Sequence, residues 1–194
     1  REEVIAKMVE AGLVYANIAI EHGDDYIRNK VIGKILSRKK IFEAVKLIKK
    51  YKVMTSGNFI MGFPEDTNET LQNSYDMINE LQLDKAGTCF AIPFPGTALF
   101  RQVIKDKLLI GDWNLDEFWK TPISHDQADF VIKPYKMSLD DMHKWREKFD
   151  ELNTKHWKTN PSPPTVGRNL TRDNTGLVPR FVRRKKTDKS LEQH

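Results

Sequence analysis

Three short apolar runs recur along the chain, each followed by a stretch with helical spacing. They are LVYANIAIE (13–21), VMTSGNFIMGF (53–63) and AGTCFAIPF (86–94). Rich in β-branched and aromatic residues, they read as buried strands. The opening REEVIAKMVEAG is amphipathic, and its pattern stops at Gly12, where a left-handed helix cap is usual. DDYIRNKVIG predicts a short helix stopped at Gly33, after which Ser37 caps RKKIFEAVKLIKKYK with Ile41, Ala44, Val45 and Ile48 on one face. Asp66 and Glu69 have the Asp-x-x-Glu spacing of a capping box ahead of NETLQNSYDMINELQ. Thr97 caps ALFRQVIKDK, and Ser138 with Asp141 opens a last amphipathic helix running to about His156.

Strands alternating with helices at this spacing predict βαβ units and a parallel sheet. Residues 13–21, 53–62 and 86–93 are expected to be adjacent parallel strands in sequence order, with helices on one face. Three strands cannot close, so the fold class is α/β, an open half of a TIM-type (β/α) barrel. The barrel part takes residues 1–110, an aromatic-rich linker and helical extension 111–158, and a basic tail 159–194. That tail is expected to lack regular structure, because Pro and charge dominate TNPSPPTVGRNLTRDNTG.

Composition adds few constraints. The chain has 194 residues, 39% hydrophobic and 30% charged, as in globular domains. Its net charge of +5 comes from the tail, since residues 1–158 carry equal numbers of acidic and basic side chains. No apolar run approaches the about 18 residues a membrane span needs. The single cysteine, Cys89, forms no internal disulfide and suits a reducing, cytoplasmic setting.

Ligands of parallel α/β folds bind at the carboxyl ends of the strands. Here those ends read Glu21-His22-Gly23, Gly62-Phe63-Pro64-Glu65-Asp66 and Pro93-Phe94-Pro95-Gly96-Thr97. A carboxylate closing an apolar strand, as Glu21 does, can accept two hydrogen bonds from a diol such as a ribose; an ion pair to Lys34 is the equal alternative. Gly62 permits close approach and Pro64 fixes the turn. Asp66 reads as a helix-terminus residue, and Asn58 as a ligand contact or a buried backbone contact.

In order and spacing, GLVYANIAIEHGDD, KKYKVMTSGNFIMGFPEDTNETLQNSYDMI and FAIPFPGTALF resemble the second half of a radical S-adenosylmethionine (SAM) enzyme barrel, over about residues 1–110. The resemblance implies that Glu21 holds the SAM ribose and that Lys34 lies near the SAM carboxylate. It implies further that Asn58, Ile60, Gly62 and Glu65 line the adenine and that Ala91 and Ile92 offer it backbone contacts, with Gly62 clearing space beneath the ring. His22 replaces the common serine after the glutamate, and PED replaces Pro-Gly-Glu, so Glu65 and Asp66 both compete for the family's acidic position. The stretch HGDDYIRNKVIGKILSRKKIF resembles the branch that carries a cobalamin-binding domain.

The same resemblance implies a 4Fe–4S cluster on Cys-x-x-x-Cys-x-x-Cys, and that motif is absent from these residues. Cys89 lies inside a strand and reads as a small buried hydrophobe. His125, His143 and His156 are scattered. The chain is therefore expected to be the C-terminal half of a longer enzyme, inactive alone, whose partner is the upstream half with the cluster. Methyl transfer, methylthiolation and ring formation are the chemistries expected, on an unidentified substrate. The alternatives are an unrelated (β/α)-barrel enzyme, which would need a Schiff-base lysine or phosphate loop that these strand ends do not show, and a non-catalytic module whose tail RFVRRKKTDK binds nucleic acid. The second ranks last, since Phe181 is the tail's sole aromatic.

Overall fold

The computed structural model describes residues 1–111 and 130–159, with side chains through Asn153. The described elements are α1 (Glu2–Glu10), β1 (Tyr15–Glu21), a π-helical turn (Ile27–Val31), α2 (Arg38–Lys50), β2 (Met54–Met61), α3 (Asn68–Leu81), β3 (Lys85–Phe90), α4 (Ala98–Lys105) and α5 (Leu139–Thr159). The strands form one parallel sheet in the order β1-β2-β3. The expected α/β half barrel is therefore present as an open sheet.

Side-chain alternation divides the sheet into two faces. Ile18, Ile20, Phe59, Met61, Ala86 and Phe90 point into a core filled by Ile41 and Val45 of α2, Met77 and Ile78 of α3, and Trp145, Phe149 and Leu152 of α5. Gly57 lies on this face because an added Cβ would stand 2.6 Å from Leu83 and 3.0 Å from Ile20. On the opposite, open face, Asn17, Ala19 and Asn58 are exposed, and Gly87 and Cys89 are partly covered. A second apolar cluster at the carboxyl rim joins Ile27 to Ile60, Phe63, Ala91, Ile92 and Val103.

The caps mostly follow the sequence. Gly12 has φ +99°, and Leu13 N–H donates back to Met8 C=O at 2.8 Å, closing α1. Ser37 Oγ accepts from Lys40 N–H, Thr97 Oγ1 from Phe100 N–H, and Ser138 and Asp141 cap reciprocally. Three expectations need correction. The capping box of α3 is Thr67 with Thr70, not Asp66 with Glu69. Ala44 is exposed, the apolar face of α2 being Ile41, Val45 and Ile48. Helix α5 continues to Thr159. The tail, most of the aromatic-rich connection, His125 and the His156 side chain lie outside the described residues.

Candidate functional site at the carboxyl rim

The rim end of β1 is irregular. Register with β2 shifts between Ala19 and Glu21, and Glu21 has φ +72°, a left-handed conformation unfavourable for a residue with a Cβ. Its carboxylate accepts from Lys34 Nζ at 3.0 Å, with side-chain exposures of 19% and 33%. The ion-pair alternative for Glu21 is thus realised, and both groups remain within reach of solvent. Cys89 lies close enough to feel this carboxylate: burial first, and then the Glu21 charge, push its thiol above its ordinary value. Its Sγ stands 3.6 Å from Phe59 C=O, as befits a neutral thiol.

One row of the open face runs Ala19–Asn58–Gly87 across the three strands. Asn58 is exposed, flanked by a methyl group on one side and no side chain on the other, and an added Cβ on Gly87 would stand 3.0 Å from Asn58 Oδ1. The row above pairs Ile60 with Cys89. Ile60, Ala91 and Ile92 come together in the rim cluster. The Ala91 amide is engaged with Met61 C=O at 2.8 Å, while Ile92 C=O, which accepts from Phe94 N–H at 3.0 Å, keeps a second lone pair.

The turn after β2 answers to its backbone. Gly62 has φ +87°, and an added Cβ would meet Met142 Cε of α5 at 3.6 Å. The glycine is required by its left-handed conformation, and its open side faces a helix. Asp66 is fully buried: Oδ2 accepts from the amides of Gly62 at 2.8 Å and Phe63 at 3.0 Å, and Oδ1 from the Thr70 hydroxyl at 2.9 Å. Saturated in this way, it shapes the turn. Glu65 points Oε1 at Gln102 Nε2 of α4, 2.6 Å away, while Oε2 is buried with no partner among the described residues. Glu21, Lys34 and Cys89 thus form one group, Ile60, Ala91 and Ile92 a second, and Glu65 stands against α4.

The residues that hold this rim were not singled out as functional in the sequence. His22 is completely buried between Asp24, Ser74 and Asp66. Arg28 is also fully buried. Its Nε donates to Leu36 C=O at 2.7 Å, its Nη1 to His22 C=O at 2.7 Å and Gly23 C=O at 3.2 Å, and its Nη2 to Asp25. No local signal marks Arg28, which stands beside the equally polar Asn29 and Lys30 in Ile27–Val31. A solvent-facing groove of about 610 Å³ between α3 and α5, lined by Glu69, Gln72, Lys144 and Trp145, lies on the helix-covered side of the sheet and not on its open face.

Comparison with known proteins follows the same segment. Residues 1–78 match the Radical SAM superfamily. Over 109 residues the chain is 33% identical to an uncharacterized methyltransferase of Pyrococcus horikoshii, which covers 56% of this chain and 24% of that protein. It is 28% identical over 127 residues to the anaerobic magnesium-protoporphyrin IX monomethyl ester cyclase of Cereibacter sphaeroides, 66% of this chain and 20% of the cyclase. It is likewise 28% identical over 111 residues to the ribosomal protein uS12 methylthiotransferase of Thermotoga maritima, 55% of this chain and 25% of that enzyme. The chain spans a quarter or less of the length of these relatives.

Proposed function

We propose, for a chain whose residues 1–78 belong to the radical SAM superfamily, that the β1 rim and the open face of β2 supply the ribose and adenine side of a SAM site. The observation that carries this reading is Glu21, a carboxylate held at the carboxyl rim beside a cation and still partly open to solvent. A ribose diol would donate both hydroxyls to it. Lys34 would then exchange its ion pair for the SAM carboxylate. Asn58 would meet the adenine above the floor left by Ala19 and Gly87, with Ile60 and Ile92 as apolar wall and the Gly62 turn as its edge. Glu65 would contribute through Oε2, the carboxylate oxygen without a partner among the described residues.

The cluster is a different matter. When bound, a reduced 4Fe–4S centre supplies the electron for reductive cleavage of SAM, and its ligands are thiolates. The chain holds one cysteine, a half-buried neutral thiol in β3. Among the described residues no group of His, Cys, Asp and Glu could hold a metal ion. These residues do not fit a cluster, and in our reading it is held by a segment outside them, so that they do not catalyse alone. The reaction is then radical methyl transfer, methylthiolation or cyclisation, the classes named for the relatives. Cobalamin enters the proposal through the likeness of residues 22–42 to the cobalamin-dependent branch. No helix among the described residues is long and apolar enough to cross a membrane.

The test is SAM cleavage. Intact protein, reconstituted with iron and sulfide under anaerobic conditions and given a strong reductant, should cleave SAM, whereas the 194-residue chain treated identically should not. Cleavage by the short chain, or its absence in a reconstituted intact protein that carries a cluster, would refute the reading.

A further inference from the structure

Glu21 keeps its left-handed backbone at a bulge. Such a conformation persists in a residue with a Cβ only where the surroundings over-determine it. The residue that follows, His22, is itself buried and held by contacts. His22 Nδ1 accepts from Asp24 N–H at 3.0 Å, which in the neutral ring leaves the proton on Nε2. Nε2 lies 3.1 Å from Asp66 Oδ1, at hydrogen-bond distance though not in hydrogen-bond alignment. Asp66 in turn holds the Gly62 and Phe63 amides. A single imidazole therefore spans from the residue after Glu21 to the carboxylate that shapes the turn after β2, and both groups are fully buried.

Nothing about the core requires a polar pair here. An apolar side chain would fill the space, whereas a buried imidazole facing a buried carboxylate is tolerated only if its contacts are kept. We propose that His22 is a positioning residue: through Asp66 it sets the rim end of β1, and with it the Glu21 carboxylate, relative to the turn Gly62–Asp66. His22 touches no ligand in this role. Its effect on SAM rests on the ribose-binding reading of Glu21; its effect on the turn does not.

Two substitutions separate the strut from a mere loop filler. In His22→Asn the side-chain oxygen falls near the position of Nδ1, keeping the Asp24 contact and losing Asp66. In His22→Gln the amide nitrogen extends to the position of Nε2, keeping a donor for Asp66 and losing the Asp24 contact. The intact, reconstituted protein is assayed for SAM affinity by calorimetry and for amide hydrogen exchange at Gly62 and Phe63. His22→Asn should weaken SAM binding about tenfold and speed exchange at both amides about tenfold, as expected for loss of one buried polar contact. His22→Gln should restore both to near wild type. Wild-type exchange in His22→Asn, or equal losses in both variants, overturns the proposal. If wild-type protein binds no SAM, the Glu21 reading fails, and exchange alone decides the strut by the same two outcomes. Should His22→Asn fail to fold, His22→Gln decides: wild-type exchange at Gly62 and Phe63 supports the strut, and fast exchange overturns it.

Discussion

The loop after β1 and the loop after β3 both leave the same rim of one sheet, yet they are held in different ways. After β1, Gly23 N–H donates to Ser74 Oγ across 51 residues, Asn73 Nδ2 to Asp24 across 49, and His22 faces Asp66. After β3, Thr97 Oγ1 donates to Phe94 C=O three residues back and Arg101 Nη1 to Gly96 C=O five residues back, and residues 94–97 are exposed. The first loop is fixed by tertiary contacts and cannot move without disturbing α3 and the turn after β2. In the second, the hydrogen bonds given by Thr97 and Arg101 stay within the turn and its helix cap. A rim built this way ties the proposed ribose contact to α3 and to the turn after β2.

The most severe way to break this comparison is to empty the first loop of its cation. Arg28→Ala removes the donors for three backbone carbonyls and leaves them buried and unpaired. We expect a loss of about 3–5 kcal/mol in urea unfolding, since each buried acceptor left unpaired costs about 1–3 kcal/mol. A loss below about 1 kcal/mol would mean that water replaces the guanidinium and that the loop is not a tertiary fixture.

The glycines sharpen the same contrast. A Cβ on Gly23 would stand 2.3 Å from Ser74 Cα and 2.4 Å from Asn73 C=O, backbone atoms of α3 that cannot turn aside. Gly23→Ala should therefore cost about 2–3 kcal/mol through overpacking. Gly96 has φ +88° but nothing within 4 Å of an added Cβ, so Gly96→Ala should cost only about 1 kcal/mol of backbone strain. Equal costs in thermal or urea unfolding would erase the distinction between the loops.

Much of this was legible in the sequence, for identifiable reasons. Strand order follows from βα alternation, and Ser37, Thr97 and Ser138 were found as caps because their donors lie within three residues. Asp66 was misassigned because Asp66 and Thr67 are both competent caps, and the decision between them came from the amides of Gly62 and Phe63, a demand of the turn that the helix pattern does not record. The Glu21–Lys34 pair was open as an alternative from spacing alone. The burial of His22 and Arg28 was not legible, since His22's partners on α3 and in the β2 turn come from far along the chain and Arg28's carbonyl acceptors depend on how the loop folds back.

A smaller effect tests whether Glu21 does face the open side of the sheet. Its charge contributes to holding the Cys89 thiol up, so Glu21→Gln should let that thiol ionise at lower pH. Alkylation of Cys89 by iodoacetamide, which requires the thiolate, should be faster in the variant at a fixed mildly alkaline pH. An unchanged rate would place the carboxylate elsewhere.

The central claim is that Glu21 contacts the SAM ribose, and calorimetric titration of intact, reconstituted Glu21→Ala protein with SAM tests it most directly. Losing a charge-assisted hydrogen bond of about 1.5–3 kcal/mol should weaken binding roughly 10- to 100-fold. An unchanged SAM affinity would make Glu21 a structural partner of Lys34 and nothing more, and would contradict the site assignment even with the fold intact.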